Sequence, residues 1–149
     1  MPLIKSISGI RGTIGDKPGE NLTPADIVKF TAAFAQLLLK KKPGKKKSAS
    51  TSSRKIASSR QVGNRRMVIG RDGRSSGEMV RGFVAGTLTK MGIDVIDLGL
   101  STTPTVEIAV KREAAIGGII ITASHNPGEW NALKLLNKKG EFISAKRGE

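Results

Sequence analysis

The stretch Thr122-Ala123-Ser124-His125-Asn126-Pro127, followed by Gly128-Glu129-Trp130-Asn131-Ala132-Leu133-Lys134, concentrates groups that could do chemistry. It holds a hydroxyl nucleophile, the chain's single histidine and a lysine. A Ser-His-Asp hydrolase is disfavoured by the spacing. His125 directly follows Ser124, and adjacent residues at a tight turn do not easily bring an imidazole back onto the hydroxyl with a third group behind it. The Gly-x-Ser-x-Gly elbow is also missing, and so is the Walker pattern Gly-x4-Gly-Lys-Ser/Thr. Phosphoryl chemistry suits these residues better. A serine at a strand end with Lys and Arg nearby can be carried as a phosphoserine, whose charge and acceptor oxygens the cations would hold.

The elements that must position this stretch read as alternating strands and helices. Leu3 to Ile7 is an expected short strand, and Ser8-Gly9-Ile10-Arg11-Gly12 an expected loop. Thr23-Pro24 opens a helix with a capping hydroxyl and a proline at the first helical position. Its apolar face is Ile27, Phe30, Phe34, Leu37 and Leu38. Met67 to Ile69 is a buried-type strand. Arg71-Asp72-Gly73-Arg74 is a loop, and Ser75 and Ser76 are candidate caps for a helix that Gly92 ends. Ile93 to Leu98 is a strand, and the loop Ser101-Thr102-Thr103 leads to a short helix from Pro104. Gly117-Gly118-Ile119-Ile120-Ile121-Thr122 is β-branched enough for a strand covered on both faces.

This order predicts an α/β fold, a mainly parallel sheet with helices on both faces (an α/β/α sandwich) in a single domain. In such folds every loop leaving a strand towards its helix lies at one edge of the sheet, where ligands gather. Arg71 and Arg74, the hydroxyls of residues 101–103, and Ser124, His125 and Asn126 are expected at that edge. Arg11 joins them if the first strand runs the same way. Such a set suits an anionic ligand such as a phosphate.

Composition narrows the field. The 149 residues contain no cysteine and one histidine, which excludes disulfides, thiolate catalysis and zinc sites built on Cys or paired His. No apolar run approaches the ~18 residues of a membrane helix. The start Met1-Pro2-Leu3-Ile4-Lys5-Ser6 does not read as a secretory signal, so a cytoplasmic address with no membrane partner is expected. The net charge of +14 is local in origin. Residues 40–66 carry eleven Lys or Arg and no acid, whereas the other 122 residues hold fifteen basic and twelve acidic groups. Nearly free of apolar side chains, that segment reads as a flexible basic insertion at about 41–64. A rival reading makes the chain a stand-alone module that binds nucleic acid or another polyanion through this segment. Against nucleic acid, no aromatic residue is interleaved for base stacking.

Thr122 to Pro127 resembles the active-site serine loop of the α-D-phosphohexomutases, the family of phosphoglucomutases, phosphomannomutases and phosphoglucosamine mutases. Ser8-Gly9-Ile10-Arg11-Gly12 is similar to the family's N-terminal arginine loop, and Gly70-Arg71-Asp72-Gly73-Arg74-Ser75-Ser76 to its second signature. Asn131-Ala132-Leu133-Lys134 sits where the family has a short strand ending in lysine. Gly73 and Ala132 depart from the pattern, since many members carry Thr and Gly there.

The resemblance implies that residues 1–149 form the N-terminal domain I of an enzyme that interconverts hexose 1- and 6-phosphates through a phosphoserine and a hexose 1,6-bisphosphate intermediate. Ser124 would carry the phosphoryl group. Lys134 would act as acid–base or electrostatic partner, Arg11 would steady the phosphoryl group, and His125 would orient neighbours or assist proton transfer. Arg71, Arg74 and Asn126 would meet substrate phosphate. Mg²⁺ would bind through the phosphate on Ser124 and through carboxylates of another domain, because no Asp-x-Asp spacing occurs here. The expected partners are a phosphosugar and the remaining domains of a parent enzyme. With nothing here resembling those domains, the chain alone is expected to be inactive.

Overall fold

The computed structural model describes residues 3–6, 9–40 and 65–143. Residues 41–64, where the basic insertion is expected, lie outside the described residues, and so does any polyanion contact they would make.

In chain order the elements are β1 (Ile4–Ser6), β2 (Gly9–Thr13), α1 (Pro24–Leu39), β3 (Arg66–Arg71), α2 (Gly77–Lys90), β4 (Asp94–Leu100), α3 (Thr103–Arg112), β5 (Gly117–Ile121) and β6 (Trp130–Asn137). The strands form one sheet in the order β1-β2-β6-β5-β3-β4. Only β3–β4 and β3–β5 pair in parallel. The pairs β1–β2, β2–β6 and β5–β6 are antiparallel. The sheet is therefore mixed, not mainly parallel. Helical crossovers impose parallel pairing on β3, β4 and β5, whereas β6 returns from β5 through a loop and must run back beside it.

The segment expected as an arginine loop is largely strand. Its glycines suggested a turn, but one of them is required by a close approach. Gly9 has φ +119, and a Cβ there would lie 2.5 Å from the Leu133 carbonyl oxygen. Glycine lets β2 lie against β6, with Arg11 opposite Ala132.

Alternate residues of the central strands serve two cores. Met67, Ile69, Ile119, Ile121, Leu133 and Leu135 pack with Ile27 and Phe34 of α1 and with Val80, Val84 and Leu88 of α2. Val68, Ile120 and Leu136 face the other way and pack with Val106 and Val110 of α3. All five residues of β5 are buried, and each isoleucine there contributes about 1.5–3 kcal/mol by leaving water.

Helix ends follow local chemistry in three cases and depart from it in one. Thr23 and Asp26 form a reciprocal capping box, with Asp26 N donating to Thr23 Oγ1 and Thr23 N to Asp26 Oδ2, both at 3.2 Å. Thr102 Oγ1 accepts from Thr105 N at 3.3 Å. Gly92, with φ +73, follows the C-cap of α2. At the start of α2, Ser76 holds the N-cap position but makes no capping bond. Its φ of −78° and ψ of −9° are already helical, whereas a capping side chain works from extended backbone. Its Oγ accepts instead from Asn131 Nδ2 at 2.9 Å, joining the start of α2 to β6.

No helix among the described residues is long and apolar enough to cross a membrane.

Candidate active site

The loops after β3, β4 and β5 emerge at one edge of the sheet, since these strands are parallel. β2 runs with β5, because both are antiparallel to β6. Arg11 thus reaches this edge on β2, while β1 itself runs the opposite way. Arg11 lies opposite Ala132, and Thr122 N donates to the Ala132 carbonyl at 3.1 Å. Residues paired across antiparallel strands share a face. Arg11, Ala132 and Lys134 therefore share one face of the sheet, the face on which Ile120 and Leu136 meet α3. Lys134 stands two residues along β6 from the partner of Arg11, the diagonal neighbour position.

Ser124 sits just beyond the end of β5, exposed, with φ +56. Both bonds that hold it use its backbone. Its N donates to Thr122 Oγ1 at 3.0 Å, and its carbonyl accepts from Arg74 Nη2 at 2.7 Å. His125 is exposed beside it. Asn126 turns back, with its N donating to the Ala123 carbonyl at 3.1 Å. Its Oδ1 is buried with no partner in the described structure, and the Nε atoms of Arg11 and Arg71 are in the same condition. Beneath the loop, Ala123, Trp130 and Ala132 form a small apolar cluster against Ile4.

Arg71, the last residue of β3, and Arg74, in the β3–α2 connection, are both engaged by the protein itself. Arg71 points with Met67 and Ile69 to the α1/α2 face, as strand alternation requires. Its Nη2 pairs with Glu78 of α2 at 2.9 Å, and its Nη1 donates to the Asp72 carbonyl at 3.2 Å. It is on the face opposite Arg11 and Lys134. Arg74 is committed to the protein itself. Nε donates to Asp72 Oδ2 at 3.1 Å. Nη1 donates to the carbonyls of Pro127 at 2.6 Å and Trp130 at 2.9 Å, and Nη2 to those of Ser124 at 2.7 Å and Asn126 at 2.8 Å. A guanidinium has five N–H donors, and these bonds use them all. Arg74 thus spends its donors within the protein, on Asp72 and on the carbonyls of the serine loop.

Two further residues matter to the site and were not singled out in the sequence. Asp72 accepts from Thr122 Oγ1 and from Arg74 Nε through the same Oδ2, while its Oδ1 accepts from Arg74 N at 3.2 Å. Thr122 passes this fixed geometry to Ser124 N. The Asp72-x-Arg74 spacing, which allows a carboxylate to cap a turn and grip the arginine, is the available signal for the first.

The residues here do not form a cage for Mg²⁺. Among the described residues no three His, Asp or Glu lie together to hold a metal. The carboxylate tied into the serine loop, Asp72, is occupied by Thr122 and Arg74. A cation would find at most an oxygen on Ser124.

Comparison with known proteins agrees with this architecture. Residues 47–148 match the family model for phosphoglucomutase/phosphomannomutase, alpha/beta/alpha domain I. A phosphoglucomutase/phosphomannomutase of Thermococcus kodakarensis is 35% identical over 139 residues, covering 93% of this chain and 25% of that protein. A phosphoglucosamine/phosphogalactosamine mutase of Sulfurisphaera tokodaii is 42% identical over 77 residues, 52% of this chain and 17% of that protein. A crystal structure from Thermus thermophilus superposes with a TM-score of 0.74 at 25% identity, over 99% of this chain and 28% of that one. The fold is shared with a phosphoglucomutase/phosphomannomutase family protein of Burkholderia thailandensis, with a TM-score of 0.65 at 24% identity over 97% of this chain and 29% of that one. The chain spans a quarter or less of the length of these two curated relatives. With the serine loop, the arginine strand and the lysine strand meeting at one sheet edge and the domain model matching most of its length, the chain belongs to the phosphoglucomutase/phosphomannomutase family and forms its α/β/α domain I.

Proposed function

We propose that this domain carries the phosphoryl-transfer serine of a phosphohexomutase, and that Ser124 is that serine. The observation that carries the reading is the placement of Ser124. Its backbone is held on both sides while its side chain stands at an exposed position, at the sheet edge that Arg11 also reaches. A nucleophile held in this way loses little entropy on reaching the transition state.

In the forward half-reaction phospho-Ser124 gives its PO₃ group to the free hydroxyl of a hexose monophosphate. The Ser124 Oγ–P bond breaks, the sugar O–P bond forms, the sugar hydroxyl proton passes to a nearby base, and the leaving Ser124 Oγ takes up a proton to become the free hydroxyl. The product is the 1,6-bisphosphate. After this intermediate turns over in the site, Ser124 Oγ takes the phosphoryl group from the other position, so the enzyme returns to its starting form. Lys134 or His125 holds the transferring proton, and the cations Arg11 and Lys134 offset charge on the phosphoryl oxygens. Mg²⁺, where present, would neutralise further charge on the phosphoryl group, with its remaining ligands supplied outside this chain.

The direct test uses the full-length protein that carries this domain. Conversion of glucose 1-phosphate to glucose 6-phosphate should fall to background in Ser124→Ala, and mass spectrometry of the parent should find phosphate on Ser124. Retained turnover in the variant overturns the assignment. The 149-residue chain alone is expected to be silent, because its described residues offer no metal cage. Turnover by that chain refutes this part.

A further inference from the structure

We propose that Arg74, keyed by Asp72, is the positioning residue that locks Ser124 in its left-handed backbone conformation and so sets the direction of its hydroxyl. The functional half of this statement rests on Ser124 being the phosphoryl carrier. The conformational half does not.

The first observation is the conformation. Ser124 has φ +56, a region that residues with a Cβ disfavour. Among the described residues the other non-glycine with positive φ is Ala114, at +49. Ala114 lies just past the end of α3, and its N donates to the Lys111 carbonyl at 3.1 Å, the ordinary way a helix finishes. Ser124 has no helix end to account for it. A conformation of this kind persists only where its surroundings impose it.

The second observation is what imposes it. On one side of Ser124 its N is held by Thr122 Oγ1, and on the other its carbonyl is held by Arg74 Nη2. Both clamps converge on a single atom, Asp72 Oδ2, which accepts from Thr122 Oγ1 and from Arg74 Nε. The same guanidinium grips residues 126, 127 and 130 by their carbonyls. It therefore ties the exit of the loop to Ser124. The Arg74 side chain is 11% exposed, so these bonds meet little competition from water. Only a planar five-donor fork can do this, and an ammonium cannot reach four carbonyls and a carboxylate at once.

The test has two arms. In the 149-residue chain, Arg74→Lys should speed amide hydrogen exchange across residues 123–130 about tenfold while leaving β3 and β5 unchanged. Ser124→Gly removes the Cβ that makes positive φ unfavourable. In that background Arg74→Lys should have a clearly smaller effect on the same exchange. Unchanged exchange in the single variant overturns the proposal. So does an equal acceleration in both backgrounds, which would mean that Arg74 merely ties the loop ends. If Arg74→Lys alone does not fold, the double variant should, and its failure to fold also counts against the proposal.

In the full-length protein, Arg74→Lys should lower kcat about a hundredfold, the scale of a small misplacement of a reacting group, with KM for the hexose phosphate nearly unchanged. A raised KM at unchanged kcat would make Arg74 a substrate-binding group and overturn the proposal. Absence of mutase activity in the unmodified full-length protein would instead remove the phosphoryl-carrier reading, and the exchange measurements would still decide what Arg74 does to the backbone.

Discussion

Two loops leave the same edge of the sheet and are built on opposite principles. Beyond one backbone bond from Ser101 N to the Arg71 carbonyl at 2.9 Å, the loop after β4 is tied by side chains and backbone of its own neighbours. Gly99 N donates to Asp97 Oδ1 at 2.9 Å, Ser101 Oγ to the Gly99 carbonyl at 3.4 Å, and Thr105 N to Thr102 Oγ1 at 3.3 Å. None of these spans more than three residues. The loop after β5 is held from far away, by Arg74 and Asp72 across about fifty residues of chain. A locally tied loop needs only to start a helix. The serine loop must hold a conformation that its own sequence resists, and for that the restraint has to come from a different, rigid element. Here that element is the β3–α2 connection, itself anchored by Asp72 N donating to the Ile121 carbonyl at 3.1 Å.

This contrast can be broken at several points. The largest expected effect is on chemistry: Ser124→Ala in the full-length protein should abolish mutase turnover, while no substitution at Thr102 should lower it comparably. Steady-state assay of both variants checks this. Next comes a stability effect. Asp72→Ala removes one acceptor from Arg74 and Thr122 together and should destabilise the domain by about 2 kcal/mol, read by urea denaturation. A loss of only a few tenths would mean that the shared carboxylate is not the keystone of the serine loop. Asn131→Ala should give an intermediate result, since it frees Ser76 Oγ from β6. A loss of about 1 kcal/mol is expected, with a faster opening of the first turn of α2. In the other loop, Thr102→Ala should cost about 1 kcal/mol or less, the usual loss for a cap. Its effect on hydrogen exchange should stay within α3 and not reach residues 123–130.

The same division separates what could be read in the sequence from what could not. The Thr23 cap, Gly92 after α2 and the doubly buried β5 each follow from residues within a few positions of one another, so they are legible in local pattern; the reciprocal Asp26 that completes the capping box is added by the structure. The Ser124 loop announced itself by its residue types. By contrast, nothing local shows that Arg74 faces four carbonyls, because its partners lie 50 or more residues ahead. Gly9 and Gly12 suggested a turn because glycine has two uses, turning and close approach, and only the neighbouring strand decides between them. The direction of β6 was also hidden. Alternating strands and helices imply parallel pairing, but β6 follows β5 without a helix between them and so turns back. Ser76 reads locally as a capping side chain, and its actual partner, Asn131, is distant in the chain.

Trp130 is the chain's only tryptophan and is 7% exposed, packed on Ala123 and Ala132, with its carbonyl held by Arg74. The protein thus carries a built-in fluorophore at the base of the serine loop, with no tyrosine anywhere in the chain to contaminate the signal. Indole emission therefore follows the wetting and loosening of that loop base without any label.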